Sequence, residues 1–167
     1  LLPMFARDVL HIGPAGLGYL RAAPPLGALL TAAWFSFRPL REKVGIKMLI
    51  AVGVYGAATV VFGLSRWVPL SLACLAILGA ADMFSMFVRQ SLIQMSTPND
   101  MRGRVGAISS LFVSASNELG EAESGFLAAA VGPTAAVVIG GVGAMTVSGL
   151  WAKRFPMLRN ARNFDFP

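Results

Sequence analysis

The apolar residues of this 167-residue chain come in long blocks that match the thickness of a lipid bilayer. A helix needs about 20 mostly apolar residues to cross the hydrocarbon core, and roughly 17–25 are tolerated. Residues 16–37, 48–64 and 67–88 each form such a block. Residues 105–151 are too long for one crossing. We expect Gly132 and Pro133 to divide them, because proline cannot continue a helix and glycine permits the turn.

This division gives two further spans, at residues 106–130 and 134–151. The sequence therefore predicts an all-α, polytopic membrane protein whose residues 1–167 form one bundle. It has five full transmembrane helices, the end of another at residues 1–6, and a tail at residues 152–167.

The apolar start has no initiator Met and no charged segment, so it does not resemble a signal peptide. We expect it to be the outer end of a helix that begins in a longer protein.

The composition excludes several classes of protein. Hydrophobic residues make up 56% of the chain and charged residues 13%, whereas a soluble domain has about 25% charged residues. The net charge of +6 comes from short basic runs between apolar blocks, which is typical of cytoplasmic loops and not of a nucleic-acid-binding face. The single Cys74 and the single His11 are too few for a metal or haem site, and no nucleotide-binding loop is present. We therefore expect no cofactor and no nucleic-acid partner.

The lysines and arginines are distributed unequally between the two sides of the predicted bundle. Three lie on one side, namely Arg7, Arg21 and Arg66. The others lie on the opposite side: Arg38, Arg41, Lys43, Lys47, Arg89, Arg102, Arg104, Lys153, Arg154, Arg159 and Arg162. The positive-inside rule places this larger set, and with it the C-terminal tail, in the cytoplasm.

Small residues recur every four positions in two of the spans, which allows close approach of helix backbones. The last span has Gly132, Ala136, Gly140, Ala144 and Ser148, and the second has Gly53 and Ala57. The pattern predicts that these residues form helix contacts.

Two of the basic loops contain sequence motifs. Residues 38–47 include a basic cluster around a glycine, formed by Arg41, Lys43, Gly45 and Lys47. This loop is either a latch for a gate or a basic loop that only sets topology. Residues 96–105 read Ser-Thr-Pro-Asn-Asp-Met-Arg-Gly-Arg-Val. Pro98, Asn99 and Asp100 form a turn that can cap the following helix, in front of Arg102, Gly103 and Arg104.

These motifs resemble those of major facilitator superfamily transporters. The first loop resembles, in degenerate form, the charged motif that recurs in each half of such a transporter. The second resembles the loop that is common in their drug and siderophore exporters. The stretch Ser-Asn-Glu-Leu-Gly-Glu-Ala-Glu-Ser-Gly at residues 116–125 closely resembles the transmembrane secretion effector, or enterobactin-exporter-like, branch. The resemblance covers essentially the whole chain and aligns it to the C-terminal half of a twelve-helix protein.

The resemblance implies two six-helix bundles that surround a central cavity and work by alternating access. The implied partners are the lipid bilayer, the missing N-terminal half of the same transporter and a small-molecule substrate. The implied location is a bacterial inner membrane, with the C-terminus in the cytoplasm.

One predicted span is studded with polar residues. At 100° per residue, one face contains Ser110, Ser114, Asn117, Glu121 and Ser124, with Glu118 at its edge. A charge at the bilayer centre costs about 2.5–3.5 kcal/mol on insertion scales, so such residues normally face the bundle interior or a cavity. Two interpretations stay open: a proton-binding site, or a structural network with a basic partner from another helix. We expect Glu118 or Glu121 to bind the coupling proton.

Two further groups of residues are candidates for function. Asp82 is the rival proton site, since it also lies within a span; Arg89 shares its face but lies about 10 Å along the axis, too far for direct pairing. Arg21 precedes Pro24, Pro25 and Gly27, and prolines remove helix hydrogen bonds. This second group is either a hinge or outer gate, or a kink beside an interfacial arginine.

Together these features favour a secondary active transporter, not an enzyme, that exports a small amphipathic molecule of drug or siderophore type in exchange for protons. The alternatives are a packing or scaffold fragment without activity of its own and, less favoured, a membrane-embedded enzyme.

Overall fold

The computed structural model describes residues 2–37 and 44–154, and every regular element in these ranges is an α-helix. A short helix α1 (Leu2–Asp8) precedes five long ones. These are α2 (Pro14–Phe37), α3 (Val44–Leu64), α4 (Val68–Ser96), α5 (Arg102–Val131) and α6 (Pro133–Arg154). The predicted all-α architecture is therefore confirmed for the part of the chain described.

The helices extend beyond the predicted spans at their basic ends. α3 begins at Val44, so Gly45 and Lys47 belong to a helix and not to the loop that was predicted for them. Likewise α5 begins at Arg102, so residues 102–104 form its first turn. The sequence prediction placed each end where apolar residues stop. A helix can continue past that point because its backbone hydrogen bonds are satisfied within the segment, whatever the polarity of its side chains.

The predicted break between the last two helices is present. Gly132 has φ 87°, a left-handed value that favours glycine, and its N–H donates to the Ala128 carbonyl at 2.9 Å. Pro133 then begins α6, where its missing N–H costs nothing. One residue thus separates two helices of 30 and 22 residues.

Three of the described helices are long and apolar enough to cross a membrane, at Ile46–Leu64, Val68–Ser96 and Pro133–Arg154. α2 contains Arg21 and paired prolines, α5 contains three glutamates, and neither helix is among these three. That α2 and α5 also cross the bilayer stays a prediction from the sequence.

The five long helices pack in a definite order. α4 lies between α2 and α3, α3 also packs against α6, and α5 packs mainly against α6 and slightly against α4. The buried core lies at the end of the bundle where α2 begins and α3 ends, and it includes Leu20, Leu75 and Val137. There the rings of Phe5 and Phe62 stack with centroids 4.4 Å apart, which attaches α1 to the bundle.

Glycines set the contact between α2 and α4. A Cβ at Gly27 would overlap the Ala76 carbonyl, and a Cβ at Gly79 would overlap the Pro24 carbonyl. The two backbones therefore touch directly at this crossing, as small residues permit in membrane helices.

A second glycine crossing joins α3 to α6. Of the predicted small-residue contacts, Ala136 and Ser148 are buried and the Ser148 hydroxyl donates to the Leu49 carbonyl of α3, but Gly53 and Gly140 are not in contact. Gly56 and Gly141 face each other, since a Cβ on either would lie 2.9 Å from the carbonyl oxygen of the other. At Gly53 and Gly140, which the four-residue pattern selected, an added Cβ would have no neighbour within 4 Å. The pattern could not decide between the adjacent Gly140 and Gly141, because both lie in a run of small residues and only the packing angle selects one.

Candidate functional site

The polar face of α5 lies on the least packed helix of the bundle. Ala128 is the one buried residue of α5, because α5 contacts the bundle mainly near its junction with α6. Along the predicted polar face Ser124 is half-buried, and Ser110, Ser114, Asn117 and Glu121 are exposed. The face is thus open to ligands or to another part of the protein, and no buried polar network fills it.

A cleft of about 280 Å³ between α4 and α5 brings together residues from two predicted groups. Asp82 and Arg89 line it from α4, and Ser116 and Asn117 line it from α5. Asp82 is the middle residue of the 29-residue α4, and Asn117 lies at the midpoint of the 30-residue α5. The apolar side of the cleft is formed by Met86, Phe112 and Val113. A mid-helix carboxylate and a mid-helix amide therefore share one partly apolar cleft with the guanidinium of Arg89, which lies further along α4.

Asp82 also lines a second, smaller cleft of about 150 Å³ between α3 and α4. Tyr55 of α3 and Ser85 of α4 lie there, and Tyr55 is close enough to Asp82 to interact with it electrostatically. Sequence reasoning missed both residues. Ser85 lies three positions after Asp82, a spacing that places side chains side by side on a helix. One feature of the sequence could have indicated Tyr55: its ring is amphipathic and lies near the middle of an apolar span.

The two glutamates that the sequence favoured lie elsewhere on α5. Glu118 and Glu121 are exposed, and neither lines the two clefts around Asp82. Within residues 2–37 and 44–154, the one ion pair joins Arg7 to Asp8 at 3.8 Å, so none of the mid-helix carboxylates has a basic partner within salt-bridge distance. This agrees with the axial separation of about 10 Å expected between Asp82 and Arg89.

The predicted hinge in α2 coincides with the crossing on α4. α2 continues as a helix through Pro24 and Pro25, and the Pro24 carbonyl packs against Gly79. Arg21, one turn earlier, is exposed. The prolines therefore lie where the backbone of α2 touches that of α4.

The predicted loop residues occupy helix ends, apart from Arg41, which lies outside the described residues. Gly45 and Lys47 lie in the first turns of α3, and Lys47 is exposed. Arg102, Gly103 and Arg104 are exposed in the first turn of α5. The Arg102 Nε donates to the Thr97 carbonyl at 3.1 Å, which closes the turn between α4 and α5.

No group of three His, Cys, Asp or Glu in the described ranges is arranged to hold a metal ion. The two clefts around Asp82 place a carboxylate, an amide and hydroxyl groups near the middle of long helices. A helical bundle with such a site is the expected form of a membrane transporter.

Comparison with known families defines that class. Residues 1–165 match the family described as transmembrane secretion effector, and the chain therefore belongs to this branch of the major facilitator superfamily. It is an integral membrane protein of a transporter family and not an enzyme.

The similar curated proteins are bacterial. The chain is 31% identical to the enterobactin exporter EntS of Citrobacter koseri over 137 residues, which cover 82% of the chain and 33% of that protein. It is 28% identical to EntS of Escherichia coli K12 over 162 residues, 97% of the chain and 39% of that protein. It is 29% identical to EntS of Shigella flexneri over 147 residues, 88% of the chain and 36% of that protein. The chain thus spans between a third and two fifths of the length of these relatives. No solved structure matches it.

Proposed function

We propose that the chain is the C-terminal bundle of a secondary active exporter whose N-terminal half is supplied by the rest of a longer protein. In this proposal α2 to α6 are the five full spans and α1 is the end of another. The arginines and lysines at the start of α3 and α5 and at the end of α6 lie in the cytoplasm, with residues 152–167. The membrane is the bacterial inner membrane, because the similar curated proteins are bacterial exporters.

One observation supports this function most directly: Asp82 and Asn117, each at the middle of a long helix, line the same cleft. Transporters bind substrates and coupling ions near the bilayer midplane. Ionisable residues at that depth are costly and normally mark an ion or substrate pathway. The open face of α5 gives this cleft a surface toward which the other half of the protein can close.

We further propose that Asp82 is the residue that binds the coupling proton. Asp82 is exposed and lines a cleft with Tyr55 and Ser85 on one side and a cleft with Asn117 on the other, so hydroxyl and amide groups line both clefts. Glu118 and Glu121 remain the candidates predicted from the sequence, but neither has comparable polar neighbours around a cleft.

The proposed substrate is a small amphipathic molecule of drug or siderophore type. Phe112 and Met86 form an apolar side of the cleft, and Asn117 and Arg89 offer hydrogen-bond donors on the other side. Such a lining suits a ligand with an aromatic or aliphatic part and an acidic or phenolic part. The name of the similar proteins, enterobactin exporter, is consistent with this class.

The gating residues form a second part of the proposal. The α2–α4 crossing at Pro24 is the proposed pivot, with Arg21 near the outer end. The basic segments around Lys47 and around Arg102 and Arg104 are the proposed cytoplasmic latches. The pivot and the latches would change their contacts when the cavity closes on one side of the membrane and opens on the other, as alternating access requires.

Transport by the full-length protein in vesicles with an imposed proton gradient tests the proposal. Asp82→Asn should abolish gradient-driven export while substrate binding is retained, because asparagine keeps the shape but cannot cycle a proton. Glu118→Gln and Glu121→Gln, singly and together, test the glutamates in the same assay. Glu123→Gln, on the other side of α5, is the matched control and should transport normally. Full export by Asp82→Asn together with its loss in the double glutamine variant would move the proton site to α5.

The alternative is a packing or scaffold fragment that has no activity alone. The sparse packing of α5 favours it, since the bundle leaves one helix largely uncovered. Reconstitution of residues 1–167 without any upstream sequence separates the two. Export by this chain alone would exclude the alternative. Export only by the longer protein would show that residues 1–167 are inactive in isolation.

A further inference from the structure

A large apolar groove lies on the opposite face of α4 from Asp82. Its volume is about 730 Å³, within the roughly 300–1,000 Å³ typical of small-molecule sites. Ile77, Ala80 and Phe84 of α4 form its base; at 100° per residue they point away from Asp82. The groove is therefore separate from the proposed transport site.

The groove exists because two helices share α4 without touching each other. α2 and α3 each pack against α4, and the described parts of α2 and α3 make no contact with one another. The direct backbone contact of Gly27 with Ala76 closes the groove at one end. Beyond that contact the space between the helices is lined on the α2 side by Leu30, Trp34 and Phe35.

The dimensions of the groove fit one acyl chain in one leaflet. From Gly27 to Phe35 the helix rises about 12 Å. Half of the hydrocarbon core of a bilayer is about 15 Å thick. The lining is mostly hydrocarbon and aromatic, with Thr31 as its uncharged polar side chain, and Leu30 and Trp34 are 72% and 61% exposed, so a chain can enter from the side.

The charge at the far end of the groove is positive. Lys47, near the start of α3, is the charged residue among those that line it. The Ser148 hydroxyl donates to the Leu49 carbonyl, which places this end of α3 beside the last turns of α6, whose Lys153 and Arg154 do not line the groove. A phosphate at the end of an acyl chain in the groove would meet an ammonium group. Basic pockets between transmembrane helices on the cytoplasmic side bind anionic lipid headgroups.

We infer that this groove is a binding site for an anionic phospholipid, with one acyl chain between α2 and α3 and its phosphate on Lys47. The inference rests on the groove and its charge and does not require the transport proposal. A zwitterionic lipid offers the same chain, but its own cationic group competes with Lys47 for the phosphate. The site should therefore distinguish phosphatidylglycerol from phosphatidylethanolamine.

Trp34 allows a direct test, because bromine atoms on an acyl chain quench a tryptophan that they touch. The full-length protein is reconstituted in nanodiscs with Trp67→Phe, Trp151→Phe and Phe at any tryptophan outside residues 1–167, so that Trp34 is the sole tryptophan. Brominated phosphatidylglycerol or brominated phosphatidylethanolamine is then titrated into an unbrominated zwitterionic background. We expect half-maximal quenching at an about five-fold lower fraction of phosphatidylglycerol, which corresponds to about 1 kcal/mol for one lysine near the surface.

Two variants and a control make the result specific. Lys47→Gln should remove most of the preference for phosphatidylglycerol. Lys153→Gln, at the same end of the bundle but outside the groove, should leave it intact. Ala80→Phe, which fills the groove, should reduce quenching by both lipids. Equal quenching by the two lipids, an unchanged preference in Lys47→Gln, or undiminished quenching in Ala80→Phe would each overturn the inference.

Discussion

Gly79 of α4 lies against the carbonyl group of Pro24 of α2, so closely that any side chain at position 79 would overlap that carbonyl oxygen. Here α4 supplies the glycine and α2 the carbonyl. In the neighbouring contact the roles are exchanged, because Gly27 of α2 lies against the Ala76 carbonyl of α4. The obstructing atoms belong to the backbone and cannot rotate away, so the two helices hold their spacing only while both glycines are present.

The first prediction concerns this crossing. Gly79→Ala should destabilise the protein by about 1–3 kcal/mol, because the helices must separate to admit the methyl group. Unfolding in mixed detergent micelles measures the loss. Gly18→Ala in α2, where nothing lies within 4 Å of the new methyl group, is the control and should gain up to about 1 kcal/mol from helix propensity. Equal stability of the two variants would contradict the crossing.

The second prediction distinguishes two neighbouring glycines of α3. Gly56→Ala should weaken the α3–α6 contact by about 1–3 kcal/mol, since the new Cβ would press on the Gly141 carbonyl and on Met145. Gly53→Ala should have no such cost, because that position is open. The same unfolding measurement decides between them. A larger loss for Gly53→Ala would restore the contact pattern predicted from the sequence.

The third prediction concerns a hydroxyl network in the α3–α4 turn. The Ser65 hydroxyl accepts from the Ser71 hydroxyl at 3.0 Å and from the Trp67 N–H at 3.3 Å, and it donates to the Trp67 carbonyl at 3.1 Å. Ser65→Ala should therefore cost about 1–3 kcal/mol, because it leaves the buried Ser71 hydroxyl and a backbone N–H without their partner. Ser36→Ala, which removes one exposed hydrogen bond to Ala32, should change the unfolding free energy by less than about 0.5 kcal/mol. A Ser65→Ala protein as stable as Ser36→Ala would show that the network contributes nothing.

The fourth prediction concerns orientation in the membrane. Asn99→Cys, in the exposed α4–α5 turn, should resist a membrane-impermeant thiol reagent added to intact cells, because the positive-inside rule predicts that this turn lies in the cytoplasm. His11→Cys, exposed between α1 and α2 at the opposite end, should be labelled. Both are made in a Cys74→Ser background, although Cys74 is itself buried. Labelling of Asn99→Cys and protection of His11→Cys would reverse the proposed orientation.

Helix number and helix breaks could be predicted from the sequence because they depend on local chemistry. Block length predicted five long helices, and Gly132 with Pro133 predicted the last break, since each depends on residues adjacent in the chain. Helix ends were predicted too short, because side-chain polarity marks the edge of the apolar layer and not the end of backbone hydrogen bonding.

The candidate site could be predicted only in part. The polarity of Asp82 and Asn117 within apolar spans was visible in the sequence. That they line one cleft depends on the angle between α4 and α5, which no local pattern specifies. For the same reason Tyr55, on a third helix, was missed, and the preference for the glutamates of α5 over Asp82 stays a prediction. The spacing of the polar residues of α5 predicted that they share a face of the helix, but it could not predict which residues of other helices lie against that face.

The single-residue turn at Gly132 also has a consequence for how the chain enters a membrane during synthesis. α5 contains three glutamates and is a poor candidate for insertion by itself, whereas α6 is apolar enough to cross alone. With one residue between them, the two helices must arrive as a hairpin, so the favourable transfer of α6 is available to offset the unfavourable transfer of α5. Lengthening the turn would separate the two steps and leave α5 to partition independently. In the proposed topology, the shortness of this connection allows a helix with three glutamates to be delivered into lipid.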